Sequence, residues 1–185
     1  MRAASLPLPT PMPRDLDVVV RARDGDASAL GELYSRYGRA LMAVAYRLTA
    51  SRDDAEDVLH DVFLGLPEAL RRYEERGALE SWLKRITARV ALSRLRSRTR
   101  AHEVDLPLDI HASVASTDRL SDLDAVRQAI DGLPESLRTV FVLREIEGYS
   151  HAEIAALLDI SSNASEVRLH RAIRALRKTL GDAHD

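Results

Sequence analysis

No cysteine occurs anywhere in the 185 residues. Disulfides, thiolate zinc sites and a thiol redox switch are therefore excluded. No apolar stretch approaches the roughly 20 residues that cross a bilayer, so neither a spanning segment nor membrane insertion is expected. Aromatic residues are scarce at 4%, and glycine is limited to 8, although 45% of the chain is hydrophobic. A chain rich in Ala, Leu and Arg, with few Gly and no long apolar run, favours helices over a β sandwich or barrel. An unbroken apolar segment is also missing from residues 1–13, where Pro7, Pro9, Pro11 and Pro13 interrupt the pattern. That stretch reads as a disordered N-terminal tail and not as an export signal, and a cytoplasmic protein is the expectation. There is no Gly-rich phosphate loop and no nucleophile–base pairing, and His102, His111, His151 and His184 are scattered. Nothing points to catalysis, to a cofactor or to a metal.

What is present is sorted charge. The formal net charge of −2 conceals three blocks. Residues 53–61 hold five acidic side chains and no basic one, and residues 84–100 hold seven basic and no acidic one. Residues 168–178 hold five Lys or Arg with no Asp or Glu among them. Any single run is commonly a solvated helix face. Blocks of opposite sign in one chain point to two kinds of partner surface.

A chain of this length can bury one medium core or two small ones. Helical periodicity runs from near Asp15 to about Arg100, with a turn at Asp24-Gly25-Asp26 and a capping-box-like start at Ser51 and Asp54. Residues 101–121 lose the period, contain Pro107 and are acidic, which reads as a linker. Helical signals resume at Asp122. Leu133-Pro134-Glu135 predicts a helix start with proline in its first turn, and Gly148 a helix stop. The predicted fold is all-α, two small helical domains joined by a flexible linker.

In the C-terminal part, Ser150-His151-Ala152-Glu153 is a capping box. The helix it opens carries Ile154, Ala155, Leu157 and Leu158, Asp159-Ile160-Ser161 turns the chain, and Ser161 or Ser162 caps a second helix. This is a helix-turn-helix pattern. At about 100° per residue, Leu169, Ala172, Ile173 and Leu176 fall on one side with Ser165. Asn163, Glu166, Val167, His170, Arg171 and Arg174 fall on the other, with Arg168 completing the candidate DNA-binding set. Arg suits guanine, Asn adenine, an apolar side chain the thymine methyl, and Glu the cytosine amine. A pair of plain core helices is the bland alternative.

Further upstream, Leu79, Trp82, Leu83, Ile86 and Val90 share an arc that predicts a core, with Trp82 at its edge. Arg85, Arg89 and Arg96 lie within about 40° of one another beside it. Such a row suits phosphates or unstacked bases. On the preceding helix, Ala55, Val58, Leu59, Val62 and Leu66 face inward, leaving Asp53, Asp54, Asp57, His60 and Asp61 outside. Asp57-x-x-His60 is half of a carboxylate-bridged di-iron motif, but no second half follows. An acidic docking face for a basic protein partner is the better reading.

The residues carry a family resemblance. DGDASALGELYSRYGRALMAVAYRLTASRDDAEDVLHDVFLGL resembles region 2 of the extracytoplasmic-function sigma factors, through the polymerase-docking helix. SWLKRITARVALSRLRSRTR resembles the end of that region, which melts and reads the −10 element. LPESLRTVFVLREIEGYSHAEIAALLDIS followed by VRLHRAIRALRKTL resembles region 4, which reads the −35 element. The resemblance covers residues 15–180 in the right order. It implies a bacterial transcription initiation factor, not an enzyme, that binds core RNA polymerase and directs it to specific promoters. Region 2 would occupy residues 14–100, the linker 101–121 and region 4 residues 122–185.

By the same resemblance, Asp54, Glu56, Asp57, His60 and Asp61 would face the clamp helices of the polymerase β′ subunit. Trp82, Lys84, Arg85, Arg89, Ser93 and Arg96 would serve the −10 element. The polymerase β flap, promoter DNA and an anti-sigma factor are the other partners implied. The family's base-facing positions fall on Glu166, Val167, His170 and Arg171. Departures are Arg89 and Ser93, where the family has Asn and Asp, and Asn163-Ala164-Ser165-Glu166 in place of Gly-Thr-Val-Lys. Promoter preference therefore does not transfer. Two other readings compete: a helix-turn-helix regulator that never joins polymerase, and a metal-dependent helical enzyme around Asp57 and His60.

Overall fold

The computed structural model describes residues 13–74, 79–102 and 122–181. All elements among these residues are helical: α1 (Pro13–Arg23), α2 (Ala27–Thr49), α3 (Arg52–Leu70), α4 (Leu79–His102), α5 (Asp122–Asp131), α6 (Glu135–Phe141), α7 (His151–Leu158) and α8 (Ser162–Gly181). The all-α expectation holds. Among the described residues no helix is long and apolar enough to cross a membrane. The chain divides into two compact units, Met1–Leu95 and Arg96–Asp185. The division falls inside α4, which continues to His102 where the periodicity had placed the helix end near Arg100. The tail expected over residues 1–13 lies outside the described residues except for Pro13, which opens α1. Most of the expected linker, 103–121, also lies outside them.

In the first unit, α1, α2 and α3 pack against one another. The start points of α2 and α3 are set by short polar side chains that take up free helix N–H groups. Asp26 caps α2 by accepting from the Ser28 and Ala29 amides at 2.8 and 3.4 Å, and Gly25, at φ +84°, supplies the left-handed turn before it. Ser51 caps α3 by accepting from the Asp54 amide at 3.2 Å. The predicted inward face of α3 is correct: Ala55, Val58, Leu59, Val62 and Leu66 are all buried.

On α4 the predicted arc needs correction. Leu79 and Leu83 are buried, but Trp82, Ile86 and Val90 are only half-buried. The buried stripe turns instead through Thr87, Ala88, Ala91, Leu92 and Leu95. Counting large apolar residues overlooked the small ones, Thr87, Ala88 and Ala91. Thr87 is accommodated there because its hydroxyl donates to the Leu83 carbonyl at 2.9 Å. Trp82 lies at the rim, its ring 4.7 Å from that of Tyr73.

In the second unit, α8 packs against α5, α6 and α7. Its core gathers Ala129, Leu133, Ala172 and Leu176, with Ile130, Leu137, Phe141, Ala175 and Leu180 around them. Pro134 stands just outside α6, as its N-cap, one position earlier than the expected place in the first helical turn. The α6 helix runs into a π turn over Val142–Ile146. Gly148, at φ +75°, then ends it, and the Tyr149 amide donates back to the Leu143 carbonyl at 2.9 Å.

Candidate nucleic-acid and polymerase interface

The capping box at Ser150 is complete. The Glu153 amide donates to the Ser150 hydroxyl at 3.2 Å, and the Ser150 amide donates to the Glu153 carboxylate at 2.8 Å. Helix α7 is therefore closed at a defined residue. Asp159, left-handed at φ 54° and ψ 50°, ends it, and the Ser161 hydroxyl accepts from the Ala164 amide at 3.0 Å to open α8. A three-residue turn between two capped helices leaves little freedom in their crossing, as a helix-turn-helix requires.

Helix α8 divides as its periodicity requires. Ser165, Leu169, Ala172 and Leu176 are buried, and Ile173 is half-buried. Asn163, Glu166, Val167, His170, Arg171 and Arg174 are all exposed, while Arg168 stands half-buried at the edge of that face. Val167 is the apolar member, 40% exposed. The His170 ring is tied to its own helix, Nδ1 lying 2.9 Å from the Glu166 carbonyl. Ser165, at a position that normally demands an apolar side chain, is fully buried with its hydroxyl 2.9 Å from His151 Nδ1. The departure at residue 165 is thus matched by a partner on α7.

On α4, Arg85, Arg89, Ser93 and Arg96 are exposed. Lys84 is half-buried and pairs with Glu80 at 2.7 Å, one turn back on the same helix.

The acidic face of α3 is less open than its sequence implied. Glu56 accepts from Arg52 at 2.9 Å. Asp57 and Asp61 are both held by Arg94 of α4, whose Nη1 donates to Asp57 Oδ2 at 2.8 Å and whose Nε donates to Asp61 Oδ2 at 2.6 Å. The hydrogen bond and charge of Arg94, with His60 adding a smaller contribution, hold the Asp61 carboxyl below its ordinary value. Asp53, Asp57 and His60 are exposed as expected, whereas Asp54 and Asp61 are half-buried, which corrects the expectation for those two. Arg94 was missed, although a signal existed. It falls about 180° around the helix from Arg85, at about 100° per residue, on the side of the buried stripe and away from the row of Arg85, Arg89 and Arg96. Among the described residues no cluster of His, Asp and Glu is arranged to hold a metal ion.

Comparison with known proteins accounts for both units. Residues 33–101 match the Sigma-70 region 2 family and residues 123–176 match Sigma-70, region 4. SigM of Mycobacterium tuberculosis (strain Erdman), an ECF RNA polymerase sigma factor, is 31% identical over 157 residues, covering 85% of this chain and 80% of that protein. The RNA polymerase sigma factor CarQ of Myxococcus xanthus is 30% identical, covering 88% of this chain and 95% of CarQ. SigE of Mycolicibacterium smegmatis is 32% identical over 84% of this chain, which spans 64% of SigE. Among solved structures, CnrH in complex with the cytosolic domain of CnrY aligns with a TM-score of 0.52 at 29% identity, covering 92% of this chain and 99% of that one. The sigma factor RpoE of Bartonella quintana, bound to the anti-sigma factor NepR, shares the fold with a TM-score of 0.58 at 23% identity, covering 82% of this chain and 96% of that one.

Proposed function

The chain belongs to the extracytoplasmic-function sigma factors of bacterial RNA polymerase, and from that premise we propose how its residues divide the work of promoter recognition. As a member of this family it is a transcription initiation factor that brings core polymerase to particular promoters. The observation that carries the residue assignment is the face of α8. Asn163, Glu166, Val167, His170, Arg171 and Arg174 are exposed together on a helix whose other side is core. These residues read the −35 element in the major groove, with Arg168 at the edge contacting phosphate.

Region 2, residues 14–100, serves the −10 element and polymerase, region 4 occupies 122–185, and 101–121 link them. Arg85, Arg89 and Arg96 on α4 hold the opened strand, with Trp82, Lys84 and Ser93 beside them; a row of exposed guanidiniums supports this. Asp54, Glu56, Asp57, His60 and Asp61 on α3 face the basic surface of the β′ clamp helices, and region 4 meets the β flap. An anti-sigma factor covers these surfaces when the protein is silent. The protein works in the cytoplasm and catalyses no bond change.

The test is reconstitution with purified core polymerase, followed by run-off transcription and permanganate footprinting on duplex and pre-melted templates. Wild type should co-purify with core and open its promoter. Arg89→Ala should lose activity on the duplex and recover it on the pre-melted template. Equal loss on both templates removes the melting role, and DNA binding without any polymerase association removes the reading as a whole.

A further inference from the structure

The Arg94 bridge has no place in the assignments above, and it occupies the surface proposed for docking. One guanidinium spans two carboxylates four residues apart on the outer side of α3. Nε serves Asp61 at 2.6 Å and Nη1 serves Asp57 at 2.8 Å. The three side chains remain partly open to solvent, at 37% for Arg94, 66% for Asp57 and 39% for Asp61. The bridge lies within one compact unit. It joins the helix proposed to dock on polymerase to the helix proposed to hold the opened strand.

We propose that Arg94 is an intramolecular competitor for the polymerase-docking face: in the free protein it takes the place that a basic side chain of the partner takes in the complex. The inference rests on the docking assignment of α3. A guanidinium satisfies a carboxylate with the same geometry whether it comes from α4 or from another chain. Arg94 also cancels part of the negative field that would steer a basic partner to this surface. Glu56 is engaged in the same way by Arg52 at 2.9 Å, but that pair is local to one helix turn. Arg94 reaches in from a different element, so its release frees carboxylates without touching α3 itself.

The bridge makes docking exchange one ion pair for another. Partly exposed pairs contribute little individually, so the restraint is modest and reversible: the face is moderated and not closed. The consequence is directional. Removing the competitor strengthens docking, whereas removing the carboxylates weakens it.

The test measures affinity of the full-length protein for purified core polymerase at several salt concentrations. Arg94→Gln should bind about threefold to tenfold more tightly than wild type, the range expected for losing two partly exposed competing pairs, with a steeper salt dependence. Arg94→Lys keeps a cation but not the fork and should fall between the two. Asp57→Asn/Asp61→Asn should bind more weakly, and adding Arg94→Gln to it should change nothing further. If the carboxylate variant binds as wild type does, the docking assignment fails and this inference with it. If the carboxylate variant is weakened but Arg94→Gln is unchanged or weaker, only the competitor role is overturned. Should Arg94→Gln lose helicity, Arg94→Lys carries the comparison, and affinity at or below wild type then overturns the proposal.

Discussion

Ser165 and His151 form the polar contact on which the helix-turn-helix closes. A buried hydroxyl without a partner costs more than the bond itself contributes, so the pair must be judged together. Ser165→Ala leaves the half-buried His151 ring without its partner and should lower stability by about 1–2 kcal/mol in urea unfolding. In a His151→Ala background the same change should cost much less; equal costs in both backgrounds would mean that the 2.9 Å contact contributes nothing. Arg171 is a different kind of residue, exposed on the opposite side of α8. Its replacement by Ala should leave stability within about 0.5 kcal/mol while costing about 1–3 kcal/mol at the −35 element and relaxing the preference at one base pair. A binding series over a −35 library at fixed salt decides this. Uniform weakening across the library would make Arg171 a phosphate contact.

Helices α3 and α4 depend on each other through charge, and that dependence has a pH signature. The Asp61 carboxyl titrates below its ordinary value of 3.8, chiefly because Arg94 hydrogen-bonds it. Asp26 is shifted the same way, first by the Ser28 amide and then by Ala29 and Arg21. A carboxyl whose folded value is depressed contributes stability that is complete above its unfolded value and is lost as pH falls through the folded one. The first unit should therefore hold steady near neutrality and weaken on the acid side, as pH falls below the ordinary carboxyl value of 3.8. Urea midpoints followed across that range should fall less steeply in Arg94→Gln than in wild type. Parallel profiles would remove the α3–α4 bridge as the source, leaving the cap of α2.

At the scale of the whole molecule the chain forms two compact units, and promoter recognition, as proposed, is divided between them. Leu143 is fully buried in the π turn that follows α6. Leu143→Ala should destabilise the second unit by about 2–5 kcal/mol. Amide exchange should show faster opening of α6, α7 and α8, with α2 and α3 unchanged. Equal acceleration in both units would mean that they unfold as one. The −35 function should accordingly fail on warming before polymerase docking does.

Much of this was legible from the residues alone because it is local. The 3.6-residue period sorted Asn163, Arg171 and Arg174 from Leu169 and Leu176 on α8, and Val58 and Val62 from Asp57 and His60 on α3. Ser51 and Ser150 announced helix starts because a cap and its amides lie within three residues; between Ser161 and Ser162 the structure chose Ser161. The family resemblance followed from the same short motifs. What periodicity does not carry is the neighbour across a helix interface. It placed Trp82, Ile86 and Val90 on the core arc of α4, whereas packing buried Thr87, Ala88 and Ala91 and left those three half-buried. Only the tertiary structure brought Arg94 to Asp61 and Asp57, 33 and 37 residues away, and Ser165 to His151. Helix faces follow from backbone geometry within a few residues, but the partner of a charge is decided by which helices pack together.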